Sequence, residues 1–371
     1  MTSGTVCVTG ATGFIGAHVA RLLVERGDRV RVTTRSEARL ERLGGLEVEP
    51  VKADILDRAA MRRAMRSCDL VVHSAGMVGA RPPERVWRVN ALAPRLAVEA
   101  AAAEGVGRVL VTSSSGAVGI PADGSVGDER EVYRGGLGLT YVDAKHEGEA
   151  EALACGARLG VEVVAVNPTY VLGVPVDRSQ PGETSTRTIG NYLRGRLPAV
   201  VEGATNIVDV EDVAKGHLLA AERGEPGERY LLGGYNMSWV ELVDRIAELS
   251  GVHHPLVVLP RWIGGAVRAQ EALGLPTPIA SEAFSLMGQN WRYSSRKARR
   301  ELGFRTRPLE RTLRATIDWY LELIESGAFA DEDRSGLDLA SAGMRVWERI
   351  GGVAGLRAAE RYAGRRLVAG A

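Results

Sequence analysis

The stretch VCVTGATGFIG, residues 6–16, joins an apolar run to a helical pattern through three glycines. Glycine carries no side chain, so the backbone of this turn can approach a ligand closely. The helix that follows directs free N–H groups and the positive end of its dipole at that ligand. A strand, a glycine turn and a helix in this order predict a pyrophosphate site for a dinucleotide. The predicted contacts are Gly10, Gly13, Phe14, Ile15 and Gly16.

Short apolar runs alternate with helical segments through the first 170 residues. Because most of these runs are apolar throughout, they are typical of parallel strands covered on both faces. The sequence therefore predicts an α/β fold, a Rossmann-type doubly wound parallel sheet, with the dinucleotide-binding domain over residues 1–172 and returns to it near 205–235. The predicted strands are Val6–Thr9, Arg29–Thr34, Leu46–Val51, Leu70–His73, Arg108–Thr112 and Val161–Val166.

The rest of the chain has a different rhythm. Residues 173–330 mix strands and helices without a regular repeat, and we expect them to form a smaller mixed α/β substrate lobe. Residues 331–371 are expected to form a helical extension: an acidic linker (Asp331–Gly336), a helix (Leu337–Ile350) and a basic helix (Leu356–Val368). The basic helix fits either a weak contact with an anionic membrane or packing on the protein itself or a second copy. Packing is the favoured interpretation.

Composition excludes several classes of function. The 371 residues carry a formal net charge of +1, whereas nucleic-acid binders usually have a clear basic excess. Cys7, Cys68 and Cys155 are odd in number and lack metal-ligand spacing, so we expect no disulfide framework and no metal site. The sequence shows no apolar run of the roughly 18 residues that a membrane span needs and no signal segment at its start. A cytoplasmic protein is expected.

The ends of the second and third predicted strands carry candidate contacts for the nucleotide. The second strand runs into Thr34-Arg35-Ser36, where NAD-selective sites usually place an acidic residue for the ribose 2′-hydroxyl. An arginine suits a 2′-phosphate instead, so Arg35 favours NADP, with NAD as the alternative. Asp54 and Ile55 follow the third strand. Asp54 is either an acceptor for the adenine amino group or a helix cap, although Asp57 fits the cap better.

A tyrosine and a lysine stand four residues apart in the helical segment TYVDAKHEGEAEAL. The spacing places Tyr141 and Lys145 on one face, one turn apart. A phenol is a weak acid at neutral pH, and a nearby ammonium lowers its pKa. The predicted strand Arg108–Thr112 opens into a serine turn, residues 113–116, whose hydroxyls can bond a carbonyl oxygen.

Taken together, TGATGFIG, VTSSSG, YVDAK and NPTYVLG resemble the extended short-chain dehydrogenase/reductases of the NAD-dependent epimerase/dehydratase superfamily, and most of all the dihydroflavonol-4-reductase-like proteins. The similarity covers roughly residues 4–320. It implies a Ser–Tyr–Lys triad of Ser114, Tyr141 and Lys145. It also implies cofactor contacts from Ser74, Ala75, Gly76, Thr112, Ser113, Pro168 and Val171. Asn90 stands at a family position, but Ala93 and Pro94 depart from the usual residues after it, which leaves the start of this helix open.

Four functions compete at this stage. The favoured one is an NAD(P)H-dependent reductase that transfers hydride to a ketone or aldehyde of a small, secondary-metabolite-like substrate. A nucleotide-sugar epimerase or dehydratase with retained NAD is the second, and a 3β-hydroxysteroid-type dehydrogenase the third. A redox-sensing regulator without turnover predicts a broken triad, whereas the triad residues are all present. A homodimer and a small-molecule carbonyl substrate are the expected partners.

Overall fold

The computed structural model describes residues 4–79, 82–135, 137–182, 185–275, 281–329 and 336–370. Its strands are β1 (Thr5–Thr9), β2 (Arg29–Thr34), β3 (Glu49–Lys52), β4 (Leu70–His73), β5 (Arg108–Thr112), β6 (Glu162–Pro168), β7 (Tyr170–Leu172), β8 (Ala199–Val201), β9 (Ala204–Asp209), β10 (Arg229–Leu232), β11 (Tyr235–Ser238), β12 (Leu256–Leu259) and β13 (Val368–Ala369).

The helices are α1 (Phe14–Glu25), α2 (Arg58–Met65), α3 (Pro83–Trp87), α4 (Ala93–Ala103), α5 (Ser115–Val118), α6 (Thr140–Leu159), α7 (Arg187–Leu193), α8 (Val210–Arg223), α9 (Trp239–Ser250), α10 (Ile263–Ala272), α11 (Ser281–Met287), α12 (Arg296–Glu301), α13 (Leu309–Glu325), α14 (Gly336–Arg349) and α15 (Gly352–Ala363). A 3₁₀ helix covers Glu37–Leu43, and a π-helical turn covers Arg88–Leu92.

The large sheet has seven parallel strands in the order β10-β6-β5-β4-β1-β2-β3. Helices α1 and α8 pack together, and α4 contacts both α2 and α6. Two apolar cores, one including α1 and α8 and the other α2, α4 and α6, share the strands of this sheet, which confirms the predicted doubly wound fold. The strand order reverses between β1 and β4, and ligands of such sheets bind at the carboxyl ends of the strands at this point.

The helix after β4 contains a π-helical turn at the position that the sequence left open. The N–H of Ala93 bonds the carbonyl of Arg88, five residues earlier. Pro94 has no N–H, so the carbonyl of Asn90 cannot receive the usual helical bond from it. The carbonyl of Asn90 instead faces α6 so closely that a Cβ on Gly148 would lie 2.0 Å from it. Pro94 and Gly148 together explain this local geometry.

Two three-stranded sheets lie outside the large one, in the orders β11-β9-β7 and β13-β12-β8. A separate apolar core packs them against α7, α9 and α13. The largest buried side chains of that core are Tyr192, Trp319 and Tyr320. The smaller part of the chain is therefore mixed α/β, as its irregular pattern predicts, while β10 and α8 belong to the large sheet and its cover.

The C-terminal segment differs from its prediction. Helix α15 ends at Ala363, and the cap residue Gly364 has a φ of +64°, which favours glycine. The prediction of a helix over Leu356–Val368 is therefore wrong after Ala363. The chain then forms β13, antiparallel to β12. Arg365 pairs with Glu202 at 2.7 Å and Arg366 with Asp244 at 3.3 Å. The predicted linker Asp331–Gly336 lies, except for Gly336, outside the described residues. Among the helices of the described ranges, none combines the length and apolar character that a bilayer crossing requires.

Candidate active site at the carboxyl edge of the large sheet

The glycine turn after β1 depends on two close backbone contacts. Gly10 has a φ of +70°, and a Cβ on it would lie 2.6 Å from the Cα of Ala75. A Cβ on Gly16 would lie 2.2 Å from the carbonyl oxygen of Gly10. No side chain fits at either distance, so these two glycines hold β1, α1 and the end of β4 together.

Gly13, the first residue before α1, serves a different purpose. A Cβ there would meet only the carbonyl oxygen of Gly10, at 3.2 Å, so the space in front of the helix is open. The first turn of α1 contains no acidic residue, and its leading N–H groups, at Phe14 and Ile15, have no partner within a helix. An anionic group such as a pyrophosphate fits this cradle by shape and by charge.

The chain leaving β4 crosses this edge next to Lys145. The N–H of Ser74 donates to the carbonyl of Thr9 at 3.1 Å, and the N–H of Ala75 to its hydroxyl at 3.3 Å. A Cβ on Gly76 would lie 3.1 Å from the Nζ of Lys145. The predicted residues Ser74, Ala75 and Gly76 therefore form one wall of the edge, between the glycine turn and α6.

Arg35 and Asp54 lie at the ends of β2 and β3. Arg35 is exposed, and within the described residues its guanidinium makes no ion pair or hydrogen bond. Asp54 accepts from the N–H of Leu56 at 2.9 Å, while Asp57 accepts from the first N–H groups of α2 and is its cap, as expected. The neighbouring Ile55 is half-buried against the core under α2.

Lys145 is buried on α6, and its Nζ donates to the carbonyl oxygen of Thr112 at 3.0 Å. Burial lowers the pKa of Lys145 to about 8, and the negative charge of Glu149 acts in the opposite direction. Tyr141 lies one turn earlier. Burial raises the pKa of Tyr141, whereas hydrogen bonding with the side chain of Ser114 lowers it. The structure thus brings Ser114, Tyr141 and Lys145 together at the end of β5.

The serine turn places its three hydroxyls differently. The Oγ of Ser114 caps α5 by accepting from the N–H of Gly116 at 3.2 Å, and this serine is the one beside Tyr141. The Oγ of Ser113 is buried without a hydrogen-bond partner in the described residues. Ser115 is buried in the first turn of α5. Pro168 is buried at the end of β6, and Val171 lies in β7 within the core that α1 and α8 share.

Three residues without a sequence-based role complete this edge. His217 of α8 is fully buried; its Nδ1 donates to the carbonyl of Val213 at 2.8 Å, so its Nε2 accepts from the hydroxyl of Thr112 at 2.9 Å. Burial lowers the pKa of His217 to about 4, which keeps the ring neutral. Asn90 bonds both the N–H and the carbonyl of Met77, at 3.1 and 2.8 Å. Glu149 lies one turn after Lys145 and is buried.

The smaller, mixed α/β part of the chain also contacts α6. Helix α6 begins after Leu139, which provides no side-chain cap. The carboxylate of Glu282, on α11, accepts from the N–H of Tyr141 at 3.5 Å and from the backbone of Thr140. The start of the helix that carries Tyr141 is therefore held by a residue more than 130 positions further along the chain.

Comparison with known proteins shows the family of this chain. The family model described as the NAD-dependent epimerase/dehydratase family matches residues 6–233. A Synechocystis protein, named provisionally as a dihydroflavonol 4-reductase, is 31% identical, over 84% of this chain and 93% of its own length. Sterol demethylase protein B of Methylococcus capsulatus is 33% identical, over 86% of this chain and 98% of its own.

A solved structure is also similar to this chain over most of its length. The nucleoside-diphosphate-sugar epimerase from Pseudomonas aeruginosa superimposes with a TM-score of 0.72 at 30% identity, covering 88% of this chain and 99% of that one. The family match spans the glycine turn, the serine turn, α6 and β10, which are the parts that build the carboxyl edge of the large sheet. The chain belongs to the NAD-dependent epimerase/dehydratase family of extended short-chain dehydrogenase/reductases.

Proposed function

We propose that this chain is an NADPH-dependent reductase that transfers hydride to the carbonyl carbon of a small, secondary-metabolite-like ketone or aldehyde. The observation that carries the proposal is the meeting of Ser114, Tyr141 and Lys145 at the end of β5, next to the open cradle of Gly13. In this proposal the cradle holds the pyrophosphate, and residues 173–330 supply the wall of the substrate site. The nicotinamide, when bound, supplies the hydride.

The proton chemistry follows from the three side chains. Burial keeps Tyr141 protonated at neutral pH, so the phenol can donate to the carbonyl oxygen as negative charge develops there. Ser114 donates a second hydrogen bond to the same oxygen and orients it. Lys145, held by the carbonyl of Thr112, stabilises the phenolate that remains. The same lysine is the group that would hold the ribose hydroxyls.

The choice of NADP rests on Arg35. Its exposed guanidinium has no protein partner in the described residues, and it lies at the position where NAD-selective sites place a carboxylate. An arginine provides bidentate hydrogen bonds to a phosphate group. We therefore propose that Arg35 binds the 2′-phosphate, and that NAD is the weaker cofactor.

The test is stoichiometric consumption of NADPH with a panel of ketones and aldehydes. The panel includes dihydroflavonols and sterols that carry a ketone, because the names of the two relatives mention a dihydroflavonol and a sterol. Tyr141→Phe should lower kcat by about 10²–10⁴-fold, because the proton donor is lost. The dissociation constant for NADPH should stay within about twofold, since the phenol is not part of the phosphate cradle. Tyr362→Phe, whose ring is 92% exposed on α15, is the matched control. Full activity of Tyr141→Phe would exclude the phenol as the acid.

A nucleotide-sugar epimerase with retained NAD is the second candidate. The observation in its favour is the Pseudomonas aeruginosa structure, whose name gives that activity and which matches along 99% of its length. An epimerase restores its cofactor in each cycle, so it predicts tightly co-purifying NAD, interconversion of a nucleotide sugar and no net consumption of NADPH. These three results together would refute the reductase proposal and support the epimerase.

A further inference from the structure

One face of α6 carries a charged residue, Glu149, beyond the tyrosine and the lysine discussed above. Tyr141, Lys145 and Glu149 follow one another at intervals of four residues, so they stack along the same side of the helix. Glu149 is only 4% exposed. A buried carboxylate is costly to maintain unless other groups pair with it. Its partners therefore indicate what it does.

Glu149 connects α6 to the serine turn. Its Oε2 accepts from the Nδ2 of Asn167 at 2.5 Å, and its Oε1 accepts from Arg229 at 3.2 Å. Asn167, on β6, is fully buried, and its same Nδ2 donates to the carbonyl oxygen of Ser114 at 3.0 Å. One amide group thus joins the carboxylate on the tyrosine–lysine helix to the backbone of the serine that faces Tyr141.

We propose that Glu149 is a positioning residue with two effects, both resting on the proposed reductase chemistry: it keeps Lys145 charged, and through Asn167 it fixes the backbone of Ser114. The network is separate from the cradle of the glycine turn. Arg229 and a cavity of about 730 Å³, bordered also by Arg296, Lys297 and Arg300, lie on another side of the carboxylate.

The titratable groups around Lys145 come from two elements, α6 and β4. On α6 they are Tyr141, which is neutral, and Glu149. From β4, His73 faces the lysine, and burial lowers the pKa of His73 to about 3, so it is neutral as well. Thr112 on β5 contributes only its carbonyl. In the described part of the chain, Glu149 is the one carboxylate that raises the pKa of Lys145, against the burial that lowers it to about 8.

The sign of the pH effect follows. Lys145 stabilises the phenolate of Tyr141 only while it is protonated, so this support is lost as the pH rises through the lysine pKa. Glu149→Gln keeps the volume and removes the charge, which moves that pKa further down. We expect the alkaline limb of kcat/KM to shift by about one pH unit towards acid. The rate should then fall about tenfold at a pH well above the lysine pKa, but only about twofold at pH 7, where about half of the lysine stays charged.

The effect of Glu149 on the backbone of Ser114 is tested by a separate variant. Asn167→Ala breaks the link to Ser114 but leaves the charge of Glu149 in place. We expect it to lower kcat while the alkaline midpoint stays at the wild-type value. Glu151→Gln is the control on the same helix, since Glu151 is partly exposed and pairs with Arg95 at 3.3 Å. It should change neither kcat nor the midpoint.

A readout without substrate separates this proposal from the reductase proposal. Titration of Lys145 followed by its ¹³Cε NMR signal, assigned by the absence of that signal in Lys145→Met, reports the ionisation of this lysine alone. In the Glu149→Gln background the lysine midpoint should fall by about one pH unit, because the carboxylate no longer favours the ammonium. This result stands even if no carbonyl compound is reduced. If Glu149→Gln fails to fold, Glu149→Asp, which keeps the charge, must retain the wild-type lysine midpoint. Unchanged lysine and alkaline midpoints in folded Glu149→Gln, or a shifted lysine midpoint in Glu149→Asp, would overturn the proposal.

Discussion

Two turns at the carboxyl edge of the large sheet, one after β1 and one after β5, are built in opposite ways. The glycine turn is shaped by atoms that are missing, since a Cβ on Gly10 or Gly16 would overlap backbone. The serine turn is shaped by bonds from elsewhere: Thr112 bonds His217, 105 positions away, and Ser114 accepts from Asn167, 53 positions away. The proposed phosphate cradle thus needs seven consecutive residues and one close contact with Ala75, whereas the proposed catalytic geometry depends on residues far apart in the chain.

The largest effects are expected for two glycines of the glycine turn, one acting on stability and the other on NADPH binding. Gly16→Ala places a Cβ 2.2 Å from the carbonyl of Gly10, so we expect a loss of about 3 kcal/mol in unfolding free energy, or failure to fold. Gly13→Ala meets only one atom, at 3.2 Å, so the protein should fold while its affinity for NADPH falls about tenfold or more, because the methyl group enters the cradle. Urea unfolding and NADPH titration measure both.

If Gly16→Ala were as stable as the wild type, close backbone contact would not be what shapes the glycine turn, and the contrast with the serine turn would be wrong. If Gly13→Ala bound NADPH with the wild-type affinity, the space in front of α1 would not be the phosphate site.

A smaller effect is expected in the serine turn, where one bond is removed at a time. Thr112→Val keeps the shape of the side chain but leaves the Nε2 of His217 buried without a partner, which should cost about 1–3 kcal/mol. The carbonyl of Thr112 also holds Lys145, so we expect kcat to fall several-fold. Thr112→Ser keeps the hydroxyl and should retain kcat. Urea unfolding and steady-state kinetics are the measurements, and equal kcat values for the two variants would contradict the role of this bond.

The same contrast explains what the sequence could predict of the fold. β2, β4 and β5 match their predicted bounds, and β4 and β5 do so because strands buried on both faces appear as apolar runs. β3 begins at Glu49 rather than Leu46, since it lies at the edge of the sheet and alternates in exposure. β13 was missed because two residues carry no pattern of their own, and only pairing with β12 makes them a strand.

The residues of the candidate site also fall into two groups, those that the sequence predicts and those that only the structure shows. The glycines, Tyr141 and Lys145 follow from local spacing, and Ser114 from the resemblance to a family. His217, Glu149 and Asn167 carry no local signal, because their importance lies in contacts with residues that are distant in the chain or in the burial of a charge. The bond between His217 and Thr112 becomes visible only once α8 is packed against the large sheet.

The turn after β2 provides the smallest expected effect and a third case for the comparison. Its geometry is local, because Thr34 bonds the backbone of Ser36, yet its proposed function depends on the exposed side chain of Arg35. Arg35→Ala should weaken NADP binding by about tenfold, the value of one charged hydrogen bond, and change NAD binding by less than about twofold. Arg29→Ala is the control on the same strand, since Arg29 already pairs with Glu49 at 3.0 Å. Titration of both cofactors decides the matter: equal losses for NADP and NAD would mean that Arg35 supports the turn itself rather than the 2′-phosphate.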